Sequence, residues 1–325
     1  MDDPNIILDE VKPSLHHWNV YPKDIELASH SENIVYKVTA EDEQQYALRV
    51  HRPGYHTLPE LISEQTWTTA LADFGINVPR SYITESGNYY VAVHCGGSIR
   101  QIGLIEWKEG NPLASELPDL QEAGFPLSAA ADIGVICATL HNQATSWPVH
   151  PDFCRHSLNL EGFVGEKPFW GRFWEAPCLT KAEQKTINQL RHMVKERLGA
   201  YGQPANTYSM IHADLHANNL FVTSAGLMVI DFDDAGFGWH QYDLAVALYS
   251  YCDRADYESI YSACIDGYLK HRLMSDGDLA MIPLFMLIRS LASIGWASAR
   301  PELGHDDYLR YLVDRACSYR DTMFH

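Results

Sequence analysis

The run Ile211-His212-Ala213-Asp214-Leu215-His216-Ala217-Asn218-Asn219 sets a carboxylate and an amide five residues apart. Across one short turn, Val229-Ile230-Asp231-Phe232-Asp233-Asp234 adds a second carboxylate at the end of the apolar stretch Leu227 to Ile230. Oxygen donors of this kind suit a hard cation, and a neighbouring carboxylate suits a hydroxyl acceptor, as transfer of a phosphoryl group requires. In that chemistry Asp214 accepts or orients the acceptor's proton, while Asn219 and Asp231 supply oxygens to Mg²⁺. Asp233 shares the face of Asp231 if the strand stays extended, and then adds a further metal oxygen. Asp234 would face away and serve the structure. The alternation His212, Asp214, His216 offers a rival, a zinc hydrolase with three ligands on one strand face. No further His-rich cluster accompanies Asp231, and the acidic strand suits Mg²⁺ better. His212 then reads as a brace for the loop.

The elements that must position these groups fall into two parts. Asn33 to Thr39 and Gln45 to His51 read as strands joined by the acidic turn Glu41-Asp42-Glu43. Pro59 to Phe74 reads as a helix, with Pro59 near its start and Gly75 just past its end. Strands follow at Pro79 to Thr84, Tyr89 to His94 and Arg100 to Trp107, and Lys108-Glu109-Gly110-Asn111-Pro112 marks the boundary. Beyond it, Leu127 to Thr145 has helical spacing, and Thr180 to Leu198 opens with a Thr180-x-x-Glu183 capping box. Tyr208 to Asp231 reverts to short strands. Helices close the chain at Gln241 to Cys252, Tyr257 to His271, Asp276 to Ala297 and Asp306 to Thr322. The simplest account is an α+β protein with a small β-rich lobe (1–109) and a larger helical lobe (110–325).

Composition bounds the partners. With 325 residues and 46% apolar content, the chain can build two sizeable cores. A formal charge of −18 disfavours nucleic acid and anionic membrane surfaces, and it permits a cationic small molecule without demanding one. Seven cysteines without a C-x-x-C pair read as reduced thiols of a cytoplasmic protein. The N-terminus lacks the basic and apolar regions of a signal peptide. Met281 to Ala297, the longest apolar segment, is broken by Pro283 and Arg289 and reads as too short and too polar to span a membrane. Nothing in the sequence speaks to oligomeric state.

His212-x-Asp214-x-x-x-x-Asn219 followed by Ile230-Asp231-Phe232-Asp233 resembles the aminoglycoside phosphotransferase and choline kinase family. That family has a protein-kinase-like fold and includes homoserine kinases and a bacterial stress-response protein kinase. The likeness runs over most of the chain. Ala47-Leu48-Arg49-Val50 looks like the family's third strand, Ser63-Glu64-Gln65 like its first helix, and Leu104 to Pro112 like its lobe linker. Leu140-His141 and Asp243-Leu244-Ala245 fall in the expected helices. The resemblance implies an ATP- and Mg²⁺-dependent kinase acting on a small-molecule alcohol, with Asp214 catalytic and Asn219, Asp231 and Asp233 on the metal. It implies that Arg49, steadied by Glu64, holds phosphate where the family often has Lys, exchanging a point donor for a planar fork. Ser31 and nearby amides would approach the phosphates, although the stretch His30 to Tyr36 carries no G-x-G-x-x-G. Glu106 and Trp107 would set backbone groups against adenine, and Asp243 would tie the catalytic loop to the helical core. A protein Ser/Thr kinase and a catalytically silent nucleotide-binding module are the alternatives. For the acceptor, Trp170-Gly171-Arg172-Phe173-Trp174, Trp239, Tyr249, Tyr251 and Trp296 are candidates to line a pocket. Aromatic residues at helical spacing are more often core. Arg289 stands in an apolar helix and reads either as an anion contact or as the partner of an internal acid.

Overall fold

The computed structural model describes residues 3–31, 33–117, 124–301, 304 and 306–323. In chain order the elements begin with α1 (Pro4–Val11), a 3₁₀ stretch (Lys12–Trp18), β1 (Pro22–His30), β2 (Ile34–Ala40), β3 (Gln45–Val50) and α2 (Leu58–Asp73). Next come β4 (Ser81–Tyr82), β5 (Tyr90–Cys95), β6 (Ser98–Glu106), β7 (Asn111–Pro112), α3 (Leu113–Glu116) and α4 (Leu127–Ser146). There follow β8 (Ser157–Leu158), α5 (Leu160–Val164), α6 (Lys181–Tyr201), β9 (Tyr208–Ile211), β10 (Leu220–Thr223) and β11 (Gly226–Val229). The chain closes with β12 (Gly236–Trp239), α7 (His240–Tyr249), α8 (Tyr257–Leu269), α9 (Asp276–Leu279), α10 (Ile282–Ser298) and α11 (Asp306–Met323). These elements make two compact units. The first takes Met1–Glu116, Pro148–Arg155 and Asn218–Asp233, and the second takes Leu117–Trp147, His156–Ala217 and Asp234–His325.

The first unit is built on an antiparallel sheet in the order β1-β2-β3-β6-β4, with β5 also pairing β6. In β2 the alternating Ile34, Tyr36, Val38 and Ala40 point into a core shared with Ile7, Val11, Leu48, Val50, Ile102 and Leu104. β1 escaped the sequence reading because it is an edge strand, without a buried residue along its length. The N-terminal helix α1 was missed as well. It is capped by Asp3, whose side chain accepts from the Asn5 N–H, and it seats Ile7 and Val11 in that core. Helix α2 begins at Thr57, whose N–H donates to Glu60 Oε2 at 2.8 Å in a capping box, and Pro59 sits in its first turn. The expected strand at Pro79 to Thr84 shrinks to Ser81–Tyr82, the two residues that pair with β6. β5 and β6 join through Gly96-Gly97, both at positive φ (55° and 74°), the backbone a two-residue primed turn demands.

In the second unit α4 and α8 approach closely. A Cβ on Gly134 would fall 1.9 Å from the Cys264 carbonyl oxygen, and one on Gly267 would fall 2.2 Å from that of Ala131. A short sheet, β8-β12-β9, leads the chain into the loop that carries Asp214. Asp276–Ser298 has the length and mean hydropathy (1.7) of a membrane span, contrary to the sequence expectation. Of the 18-residue stretch within it that sets this hydropathy, 67% is buried inside the protein. Its apolarity serves the core, where Phe285, Leu287 and Ile294 are fully enclosed.

Candidate active site

In the first unit the chemistry gathers around Arg49. Register sets it in β3 opposite Val35 and Gly103, and β3 is buried on both faces. Its guanidinium donates to Glu64 Oε1 of α2 at 3.1 Å and to Asp233 Oδ1 at 3.0 Å, and lies 3.7 Å from Asp231 Oδ1. Burial opposes its charge, but Asp233, Glu64 and Asp231 more than compensate and raise its pKa. Burial pushes the Glu64 carboxyl up to about 7 against the pull of Arg49. Asp233 is also desolvated, yet Arg49 and the neighbouring histidines bring it down to about 2.

The hairpin β10–β11 places the next pair. Leu220 pairs with Val229, and the Ile230 N–H donates to the Asn219 carbonyl at 3.0 Å, so Asn219 and Asp231 flank its open end. Asp231 does not continue the strand. Its φ is +63°, left-handed backbone that a non-glycine residue rarely adopts, so the period-two argument for Asp233 lapses. The Asp231 side chain keeps 48% of its exposure, whereas that of Asp233 keeps 10%. Both Asp233 oxygens have protein partners, Arg49 on Oδ1 and the Asn33 amide on Oδ2. Between the two aspartates Phe232 turns inward and meets Trp67 edge-on at 5.6 Å.

Three residues here were not singled out from the sequence. Arg155, its side chain fully buried, donates to the carbonyls of Glu60, Phe232 and Asp233 and lies 3.7 Å from Glu64 Oε2. His56 Nε2 is 2.7 Å from the Asp233 carbonyl. Asn33 accepts from the Arg52 N–H at 3.0 Å while holding Asp233. None belongs to a motif with a fixed spacing, so no local signal pointed to them.

Ser31 is exposed in the β1–β2 turn, where its N–H donates to the Asn33 carbonyl at 3.2 Å. Its neighbour Glu32 lies outside the described residues. Glu106 N–H donates to Arg80 O at 2.7 Å and Trp107 N–H to Gln45 O at 3.4 Å, so these two N–H groups are engaged inside the sheet. Lys37 pairs with Glu109 at 2.9 Å and lies over the Trp107 ring.

In the second unit the centre is Asp214, on the loop after β9. Asp243, fully buried at the start of α7, accepts from the His212 N–H at 3.0 Å and the Ala213 N–H at 2.7 Å. Those two bonds hold Ala213 at φ +67°, the turn that presents Asp214. His212 Nδ1 accepts from the Asp214 N–H at 3.3 Å, the brace expected of it. Burial raises the Asp243 carboxyl to about 6. His141 Nε2 stands 3.1 Å from Asp243, Tyr268 OH stands 3.0 Å from His141 Nδ1, and burial holds that histidine neutral. Asp214 itself has Arg289 Nη2 at 2.7 Å from Oδ1 and His216 Nε2 at 3.3 Å from Oδ2. Asp234 accepts from the Trp170 indole at 3.2 Å. The aromatic candidates Trp170, Trp174, Trp239, Tyr249 and Tyr251 are all buried core.

The arrangement offers hard oxygen donors beside a fixed cation in one unit and a braced carboxylate in the other. Comparison with known proteins agrees with that chemistry. Residues 24–278 match the family model described as the phosphotransferase enzyme family. Amicoumacin kinase of Bacillus subtilis (strain 168) is 24% identical over 293 residues, covering 85% of this chain and 80% of that protein. A microcompartment-associated aminopropanol kinase is 30% identical, with a TM-score of 0.80 over 96% of this chain and 94% of that one. The structure of an amicoumacin kinase, hAmiN, in complex with AMP-PNP, Ca²⁺ and Ami is 19% identical. It shares the fold, with a TM-score of 0.79 over 98% of this chain and 94% of that one. The chain belongs to the phosphotransferase enzyme family, with an α+β protein-kinase-like fold and the activity of an ATP-dependent small-molecule kinase.

Proposed function

We propose that the protein transfers the γ-phosphoryl group of ATP to the hydroxyl of a small amine-bearing alcohol, with Mg²⁺ as its metal. The observation that carries this reading is the open end of the β10–β11 hairpin, flanked by the amide residue Asn219, which is buried, and the half-exposed carboxylate of Asp231. This all-oxygen pair fits Mg²⁺, which takes few protein ligands and keeps waters and substrate phosphates. The bound cation would neutralise charge on the phosphates. Arg49, fixed by Glu64 and Asp233, holds phosphate oxygens with whatever part of its fork faces the nucleotide. Asp233 serves as the anchor of Arg49. Asp214 accepts the acceptor's hydroxyl proton in a hydrogen bond and aims its oxygen at phosphorus, since positioning carries most of phosphoryl transfer.

For the acceptor, two supports coincide. The relatives are named for aminopropanol and amicoumacin, and the net charge of −18 favours approach of a cation. None of the seven cysteines is in a disulfide, which fits a reducing compartment such as the cytoplasm.

A thermal-shift titration tests the metal site. ATP with Mg²⁺ should raise the melting temperature, ATP with a chelator should do so much less, and Asp231→Ala should abolish the difference. An equal shift with and without Mg²⁺ would refute the assignment. ATP consumption measured with aminopropanol, ethanolamine, choline and spectinomycin, beside glycerol and 1-propanol as amine-free alcohols, then ranks the acceptors. Turnover only with acceptors lacking an amine would overturn the amine-bearing class.

A further inference from the structure

Arg289 is a cation in a helix that is otherwise almost wholly core. Thirteen residues of α10 are buried, and the guanidinium emerges from that apolar surface to meet Asp214 Oδ1 at 2.7 Å. The two side chains keep 18% and 22% of their exposure, so the pair is enclosed without being sealed. Asp214 is thereby held from both sides, by Arg289 on one oxygen and His216 Nε2 on the other. The cation comes from a helix far along the chain, 75 residues beyond Asp214, so loop geometry alone does not account for the meeting.

We propose that Arg289 is a positioning residue for phosphoryl transfer: its guanidinium fixes the Asp214 carboxylate in one orientation toward the acceptor hydroxyl. Asp214 then works as an aimed hydrogen-bond acceptor: the acceptor oxygen bonds the γ-phosphorus as the bond from that phosphorus to the ADP oxygen breaks, ADP leaves, and the hydroxyl proton passes to Asp214 only late in that exchange. This rests on the reading of Asp214 as the acceptor-side carboxylate.

The electrostatics around Asp214 agree. Facing it are His212 and His216 from its own loop, Arg289 from α10, Tyr242 and Asp243 from α7, and Tyr308 from α11. Burial works to raise its pKa, but Arg289 and His216 outweigh that and hold the carboxyl well below the usual carboxylate range. Arg289 is the largest favourable contributor. Removing it leaves a desolvated carboxylate with a weaker partner, and the pKa must climb. A neutral Asp214 would donate to the acceptor hydroxyl instead of accepting from it.

The test is steady-state kinetics against pH for Arg289→Gln and Arg289→Lys, with thermal unfolding of both and of the double variant Asp214→Asn/Arg289→Gln. Arg289→Gln should lower kcat at least tenfold near neutrality, leave the KM for ATP within twofold, and move the acid limb of the pH profile up by a unit or more. Arg289→Lys should keep the limb in place and recover part of kcat. Arg289→Gln should also melt earlier, and adding Asp214→Asn should restore much of the melting temperature, because the desolvated charge that only a weaker partner then opposes has gone. An unmoved acid limb with unchanged kcat overturns the proposal, and so does a double variant as unstable as the single one. Full activity in Asp214→Asn alone would overturn the parent reading instead.

Discussion

At Asp233 one carboxylate is held by a buried cation and an amide, and its pKa falls from 3.8 to about 2 despite desolvation. The sign of the consequence follows from linkage. A carboxylate depressed on folding stabilises the protein above its ordinary pKa, and that stability is lost as pH falls through the folded value. The stability difference between wild type and Asp233→Asn should therefore shrink by about 2 kcal/mol as pH drops from about 4 to about 2. Urea denaturation at several acid pH values reads it, and a difference independent of pH would contradict the ionised Asp233–Arg49 pair. At this scale the sequence was most informative about residues that carry their own spacing. Asp214, Asn219 and Asp231 stand in a dense local pattern, and each lies where a loop or hairpin end presents it. Asp233 looked like a metal oxygen because an extended strand would point it beside Asp231. The left-handed turn at Asp231 breaks the extended strand that argument assumed, although both carboxylates still face the same Arg49 nitrogen, and a backbone angle of this kind has no signature in a non-glycine residue. Arg155 was invisible for another reason. Its partners are carbonyl oxygens, which every residue possesses, so no side-chain pattern announces them.

Among the elements, what was read well was what buries one face. The alternation of β2 and the amphipathic α6, opened by Thr180 and Glu183, were both legible. The edge strand β1 and the two-residue β4 were not, because pairing with a neighbour and not burial defines them. Glycine shows how context outranks propensity. Gly134 of α4 and Gly199 of α6 both lie within helices, and on propensity alone an alanine should help each by roughly 1 kcal/mol. At Gly199 the added methyl would meet only Leu160 Cδ1 at 3.6 Å, an ordinary contact, so Gly199→Ala should stabilise by about 0.5–1 kcal/mol. At Gly134 it would strike the backbone of α8, so Gly134→Ala should destabilise by about 1–3 kcal/mol or more. Paired denaturation curves decide it, and the same sign for both would mean that α4 and α8 are not in such close contact.

For the molecule as a whole, the sequence reads as two parts that meet near residue 110, where strands give way to helices, and the family's likeness runs over most of the chain. Composition could not show how the chain is shared out. The compact first unit runs on to Glu116 and also takes Pro148–Arg155 and Asn218–Asp233. Those later segments bring β10 and β11, Phe232 for Trp67, and Arg155 for Glu64. A fragment of residues 1–116 should therefore show no cooperative urea transition, although it contains the whole six-stranded sheet. A sharp two-state transition in that fragment would show the later segments to be dispensable.

The return of Asn218–Asp233 to the first unit also sets an order on assembly during synthesis. Arg49 and Glu64 are made early, yet Asp231 and Asp233 reach them only when the chain has grown well past its midpoint. Until then a growing chain carries a buried-type arginine without two of its three acidic partners and lacks the β10–β11 hairpin. An interrupted polypeptide is therefore not a weaker kinase but a chain that cannot finish even its N-terminal fold, which exposes it to proteolysis or chaperone capture. Nucleotide, by binding only the finished unit, would act as a late fastener on a nascent chain.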